Sequence, residues 1–315
     1  MGPASFLEVS RKTLTTAGAI LVAGTVLGLV AVAWLGSSGG SAVQTRGLTV
    51  APSAKAPPAP PRGAIVLARE VGARAVALAV EGGARPRLTV TVLGPDGAAE
   101  SGLAVSFRAG GATLRARACG PGCYRARASA PVRSVRVVLP KDSASFTVPA
   151  AVRSATAIVR RASRVIRRLR SLVYTESLRS DPSNGLLTTW RLVAPHRLSY
   201  RIRGGASAVV IGERRWDQEH AGDPWKRGQQ IPALDVPQPA WGGLAVDSHV
   251  LAQGRVDGRP VWIVSFTNPT IPAWFTAWID RGTYRSLQLR MTAGSHFMFH
   301  RYLSFNGPVK IVPPR

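Results

Sequence analysis

The chain has 315 residues, 45% of them hydrophobic and only 18% charged, yet 41 Lys and Arg stand against 16 Asp and Glu for a net charge of +25. Eight Trp and eight Phe exclude a wholly disordered chain, which would lack apolar surface to bury. Two Cys and five His exclude a zinc-finger array or a disulfide-rich miniprotein, and the length suits two globular domains with appendages.

Residues 14–35 are 22 consecutive uncharged residues preceded by Arg11 and Lys12. As a helix rising about 1.5 Å per residue they would span roughly 33 Å, enough for a bilayer core of about 30 Å. The segment therefore predicts an uncleaved, single-pass transmembrane helix, with Trp34 at one interface and residues 1–35 forming cytoplasmic stub and anchor; a signal peptide cleaved within Gly36-Ser37-Ser38-Gly39-Gly40-Ser41-Ala42 is the alternative. Basic residues on the N-terminal side predict a cytoplasmic N-terminus, so everything after residue 36 is expected to be extracytoplasmic. Residues 36–63 are rich in Pro, Ala, Gly and Ser, ending Ala56-Pro57-Pro58-Ala59-Pro60-Pro61, and predict a semi-rigid linker.

The positive charge is distributed: +1 over 1–35, +3 over 36–63, +7 over 64–147 and +14 over 148–315. A basic exterior attracts anionic lipid headgroups or acidic polymers. No basic zipper, RNP-like strand or Cys–His module is present, so nucleic acid is not an expected partner.

Residues 64–147 alternate in short runs separated by turns: Ala64–Ala68, Ala75–Val80, Leu88–Leu93, Leu103–Phe107, Thr113–Arg117, Tyr124–Ala128, Val132–Val138 and Ser145–Val148. Gly94-Pro95-Asp96-Gly97 is a turn, because Pro presets φ and Gly accepts positive φ. This pattern predicts an Ig-like antiparallel β-sandwich. Within it, Cys119-Gly120-Pro121-Gly122-Cys123 predicts a disulfide closing a hairpin in an oxidising compartment. A two-thiolate copper or zinc site is the alternative, although neither Cys has an adjacent His or a third Cys.

Residues 151–172 switch to helical periodicity, with Ile158, Ala162, Val165, Ile166, Leu169 and Leu172 on one face and six Arg on the remainder. The apolar stripe is expected to pack on a sheet, the alternative being a basic amphipathic helix that lies on a membrane. Residues 173–315 read as a β-meander, with Val256-Asp257-Gly258-Arg259 as a hairpin turn and 232–243 as a loop or lid. Seven of the eight Trp lie here, so the whole 148–315 domain is expected to be a half-barrel with an apolar interior.

Two clusters invite chemistry. Alternation puts His296, Met298 and His300 on one strand face, and imidazole with thioether suits copper. At about 3.3 Å per residue the two His lie roughly 13 Å apart, too far to share an ion. Asp217, Glu219, His220 and Asp223 are also what a hairpin loop needs. No GxSxG, HExxH, P-loop or dinucleotide fingerprint is present, so no catalytic residue, metal site or cofactor is assigned and the chain is not expected to be an enzyme.

The segments LVYTESLRS, WRLVAPHRLSYRIRGG, VVIGERRWDQ, VWIVSFTNP, FTAWIDRGTYRSLQLRMTAG and FHRYLSFNGPVKIVPP, in that order after a helix, resemble the LolA/LppX-like lipoprotein carrier superfamily. That resemblance implies an unclosed β-barrel holding acyl chains. The N-terminal half, with LTVTVLGPDG and CGPGCYRA, resembles the exported portion of bacterial CopD-type copper-resistance proteins. Together these predict a mainly β, membrane-anchored protein that binds a lipid or other hydrophobic ligand as carrier or sensor. Trp190, Tyr200, Trp216, Trp262, Trp278 and Met298 are the expected ligand-binding residues. The alternatives are an accessory module of copper resistance and a structural or signalling ectodomain with an envelope protein as partner.

Overall fold

A computed structural model describes residues 56–315, apart from 184 and 269. The expected transmembrane segment and most of the linker lie outside the described residues. Among the described residues no helix is long and apolar enough to cross a membrane.

The first nine strands are β1 (Ile65–Val71), β2 (Arg74–Glu81), β3 (Arg87–Leu93), β4 (Ser106–Ala109), β5 (Ala112–Arg115), β6 (Arg117–Gly120), β7 (Cys123–Arg127), β8 (Ser134–Val138) and β9 (Ser143–Thr147). They form two antiparallel sheets, ordered β1-β2-β3-β7-β6 and β5-β4-β8-β9. Alternation explains their facing: Val76, Leu78, Leu88, Val90, Phe107, Val135 and Val137 all turn into the shared core. Tyr124 closes one end, its hydroxyl donating to Glu100 O at 2.7 Å and accepting from Leu103 N at 2.9 Å. The run Thr113–Arg117, expected as one strand, is two. The chain leaves one sheet and enters the other at Ala116, whose N–H donates to Val105 O.

The remaining elements are β10 (Arg153–Ser154), α1 (Thr156–Arg167), β11 (Ser171–Arg179), β12 (Gly185–Val193), β13 (Arg197–Ile202), β14 (Ser207–Ile211), β15 (Arg214–Gln218), β16 (Lys226–Gln229), β17 (Val246–Val256), β18 (Arg259–Asn268), β19 (Ala273–Asp280), β20 (Ser286–Ala293) and β21 (His296–Phe305). Twelve strands make one unclosed sheet, ordered β10-β17-β18-β19-β20-β21-β11-β12-β13-β14-β15-β16. Two meanders, β11–β16 and β17–β21, meet where the last strand returns to pair with β11.

The helix is shorter than its periodicity implied. It ends at Arg167, and Leu172 is a strand residue. Tight N–H bonds from Arg168 to Val165 O and from Leu169 to Ile166 O finish the last turn. Asn306 then fixes the start of β11, its side-chain oxygen accepting from Arg170 N at 2.7 Å and its own N–H donating to Ser171 O. Leu169 and Leu172 are buried either way, so the apolar spacing alone did not distinguish helix from strand.

The sandwich is not a separate bead. The outer side of β1–β2–β3 carries Val66, Ala75, Ala77 and Ala79, and these pack with Trp274 and Phe297 of the large sheet. Small side chains let the layers approach closely. Gly97 of the 94–97 turn meets Gly294 of the β20–β21 turn so tightly that a Cβ on Gly294 would lie 2.4 Å from Gly97 Cα. Ser295 Oγ donates to Pro95 O, and Arg179 pairs with Glu70 at 2.5 Å across the same junction.

Candidate functional site

Register fixes which side chains share a face of the large sheet, because directly paired residues point the same way. The inner face, which carries α1, holds Leu172, Tyr174, Glu176 and Leu178 of β11. Their partners are Leu192, Trp190, Thr188 and Leu186 on β12, and on β21 Tyr302, His300 and Met298 stand beside Tyr174, Glu176 and Leu178; beyond the bulge at Val173/Tyr174, Phe305 packs with Ile263 and Trp278 instead. Continuing outward, Trp190 pairs with Tyr200 and Met298 with Met291. The far half adds Phe275, Ala277, Val264, Phe266 and Trp262.

A line of aromatic rings crosses this wall. Tyr174 lies 6.1 Å from Trp190 and 4.7 Å from the His300 ring, and Trp190 lies 4.8 Å from Tyr200. At its centre Glu176 Oε2 meets His300 Nε2 at 2.7 Å, both side chains essentially without exposure. Burial pushes the Tyr174 and Tyr302 hydroxyls well up from their ordinary range, and Glu176 adds to both. Burial likewise raises Tyr200, offset by the neighbouring Arg215, which forks onto Asp217 at 2.7 Å.

Three atoms of this patch have no hydrogen-bond partner: Glu176 Oε1, Thr188 Oγ1 and Trp190 Nε1. Glu176 and Thr188 are direct cross-strand neighbours, and Trp190 is the next inward residue along β12. All three residues are 0–2% exposed. Leaving such a group unmet costs about 1–3 kcal/mol.

The cover over this face is α1 with the 230–245 loop. Val159, Ala162, Ser163 and Ile166 are buried beneath the helix, while its Arg side chains face out. Trp241, fully buried, donates from Nε1 to Ser163 Oγ at 3.0 Å and sets its ring against Phe266. Arg167 reaches Gln238 at 3.0 Å, and Arg161 stacks 4.0 Å over Tyr284, which lies against Trp262. These ties are side-chain contacts rather than backbone ladders.

The structure divides the six expected ligand residues. Trp190, Tyr200, Trp262 and Met298 lie on the inner face. Trp216 pairs with Val209 and Arg227 on the opposite face, and Trp278 sits on that face with Ile263 and Phe299. The inner four are not one open cavity either, for Trp190 and Met298 are both 2% exposed. The sequence reading passed over Glu176, Thr188 and Tyr174. Their signal is the alternation Leu172-Tyr174-Glu176-Leu178, which places one carboxylate in an otherwise apolar strand face.

The other candidates have structural occupations. Cys119 and Cys123 form a disulfide with Cα atoms 5.1 Å apart, so neither sulfur is a free thiolate for a metal. His300 is engaged by Glu176, and His296 by Gly294 O. Asp217 is held by Arg215, whereas Glu219, His220 and Asp223 cluster in the exposed β15–β16 turn. There Asp223 binds His220 and Glu219 pairs with Lys226.

No family model matches this sequence, and no curated protein matches it. Solved structures do share a likeness of fold. LprF from Mycobacterium bovis is similar at 13% identity with a TM-score of 0.39, covering 51% of this chain and 96% of its own. The lipoprotein LppX from Mycobacterium tuberculosis is similar at 13% identity and 0.38, covering 50% and 97%. A LolA superfamily protein from Nitrosomonas europaea has 11% identity and 0.26, covering 51% and 96%. The likeness is one of fold. What the inner face can do rests on its own geometry.

Proposed function

We propose that the protein binds a lipid or other amphiphile on the inner face of the twelve-stranded sheet, non-catalytically, on the extracytoplasmic side of the membrane that residues 14–35 anchor it to. One observation carries this reading: a continuous apolar and aromatic wall that includes three buried polar atoms without partners, grouped around Glu176 and Thr188. An apolar surround with a few convergent polar groups is the composition of a small-molecule site. An acyl chain would lie against Trp190, Tyr200 and Met298. A hydroxyl on the same molecule would accept from Trp190 Nε1 and donate to Glu176 Oε1.

Entry requires the cover to move: over its centre α1 and the 230–245 loop are held by Trp241, Arg167 and Arg161, and at its margins by backbone bonds from Ala155 N to Ser248 O, Gln230 N to Glu213 O and Val236 N to Pro195 O. Covering some 300 Å2 of chain contributes roughly 7 kcal/mol before ordering costs, enough for reversible loading. The test is native mass spectrometry on residues 56–315, purified without detergent. Cutting at 148 instead would strip the sandwich from Trp274 and Phe297. Added mass that extracts into chloroform supports the reading and identifies the cargo. A protein that emerges empty and takes up no added phospholipid would overturn it in favour of a structural or signalling ectodomain.

A further inference from the structure

The sandwich carries a second site, unrelated to the inner face of the large sheet. A cleft of about 560 Å3 at its edge is lined by five arginines, Arg87, Arg115, Arg117, Arg125 and Arg127, over an apolar floor of Leu114 and Ala126. They come from four strands, β3, β5, β6 and β7. The pairing register sets like charges directly opposite each other twice: Arg87 faces Arg127, and Arg117 faces Arg125. Cβ atoms of such partners lie only about 4.5–5.5 Å apart, and like charges in that position destabilise a sheet.

The sandwich has no counterion to spare for them. It contains five carboxylates. Glu100 and Asp142 hold Arg74, Glu70 holds Arg179 of the large sheet, and Asp96 accepts from Ala98 N inside its own turn. Only Glu81 approaches the cleft, 3.6 Å from Arg87. Among the described residues, the side chains of Arg115, Arg117, Arg125 and Arg127 have no carboxylate or hydrogen-bond partner. Guanidinium forks clustered in a recess match the oxygens of a phosphate group, which can take two parallel N–H bonds from each.

We infer that this arginine cleft binds a phosphate-bearing anion with two or more negative charges, either a soluble polyphosphate or the phosphorylated headgroup of a lipid. Bound phosphate relieves the repulsion across both Arg pairs, so the arginines contribute to binding at the expense of the empty fold.

The experiment is calorimetric titration of the full chain in neutral detergent, with thermal melting alongside. The probes are tripolyphosphate, dihexanoyl phosphatidic acid and, as zwitterionic control, dihexanoyl phosphatidylcholine. Tripolyphosphate or phosphatidic acid should bind, whichever is tighter naming the source. Affinity should fall at least about tenfold in Arg117→Gln/Arg125→Gln, the loss of charge-assisted bonds from two guanidiniums. It should change less than about twofold in Arg160→Gln/Arg164→Gln, which removes the same charge from α1. The cleft variant should melt no lower than the parent without anion. Failure of both anions to bind, an equal loss in the helix variant, or a lower melting temperature in the cleft variant would each overturn the proposal. None of these outcomes depends on whether the inner face takes a lipid.

Discussion

Glu176 and His300, 124 residues apart in sequence, meet at 2.7 Å in the middle of the large sheet's inner face, with exposures of 0% and 2%. The pair joins the first and last strands of the two meanders, β11 and β21, at the seam where the sheet is completed. Removing either partner leaves the other polar group buried and unmet. Glu176→Leu and His300→Leu should therefore each lower the unfolding free energy of residues 56–315 by about 3 kcal/mol, whereas the double variant should lose less than the two singles combined. Urea denaturation of the four proteins measures the coupling, and strictly additive losses would show that the contact contributes nothing of its own.

The Gly97–Gly294 contact makes a different prediction. A Cβ at Gly294 would fall 2.4 Å from Gly97 Cα and 2.9 Å from its carbonyl oxygen, and both neighbours are backbone. Overpacking of this kind costs about 1–3 kcal/mol. Gly294→Ala should lower thermal stability accordingly and speed proteolysis of the 94–97 turn, because the turn and the β20–β21 hairpin must part. Unchanged melting and unchanged cleavage would mean that the sandwich is not held to the sheet at this point.

Asp280 sets the acid sensitivity of the β19–β20 turn. Burial works against its charge. That is outweighed by donors from Thr283 Oγ1 and N, both at 2.6 Å, by Arg259 at 2.9 Å and by Gly282 N, so its carboxyl is held below the usual range. A carboxyl depressed in the folded state stabilises fully above its unfolded pKa of about 4, and that stabilisation is lost as pH falls through the folded value. Asp280→Asn should cost about 2 kcal/mol at pH 7 and progressively less below pH 4. A deficit that stays constant with pH would assign the effect to shape rather than charge.

The alternation of side chains made most strands legible: β19 and β21, over Ala273–Asp280 and His296–Phe305, fall within the meander expected for residues 173–315. Their facing was less legible. A strand's two faces are defined only relative to its neighbours, and bulges at Val250/Ala252, Val173/Tyr174 and Trp278/Ile279 shift that relation along the sheet. Trp216 and Trp278 therefore resemble Trp190 in sequence and oppose it in space. The docked sandwich had a readable signal: residues 75–80 are apolar without alternation, as a strand buried on both faces requires, with Ala on the side that meets the large sheet. Nothing local marks Gly97 and Gly294 as partners, because each is also a plausible turn residue by itself.

The division of the aromatics between two faces gives the sharpest test of where a ligand sits. Trp190→Phe removes the unpartnered Nε1 donor while keeping a ring in the wall, and Thr188→Val removes an unpartnered hydroxyl at nearly constant volume. Without ligand, each change deletes a buried group that nothing meets, so the empty protein should be unaffected or up to about 1 kcal/mol more stable. With ligand, each deletes a contact, and lipid retained through purification should fall several-fold. Trp216→Phe and Trp278→Phe, on the opposite face, should leave retention unchanged. Quantifying extracted lipid per protein across the four variants separates the cases. A loss confined to Trp216→Phe and Trp278→Phe would move the ligand to the sandwich side of the sheet. There Arg69, Glu70, Arg179 and Arg290 line a cleft of about 530 Å3 with Phe297 and Phe299, and the inner wall would then be a packed core whose polar atoms serve only the fold.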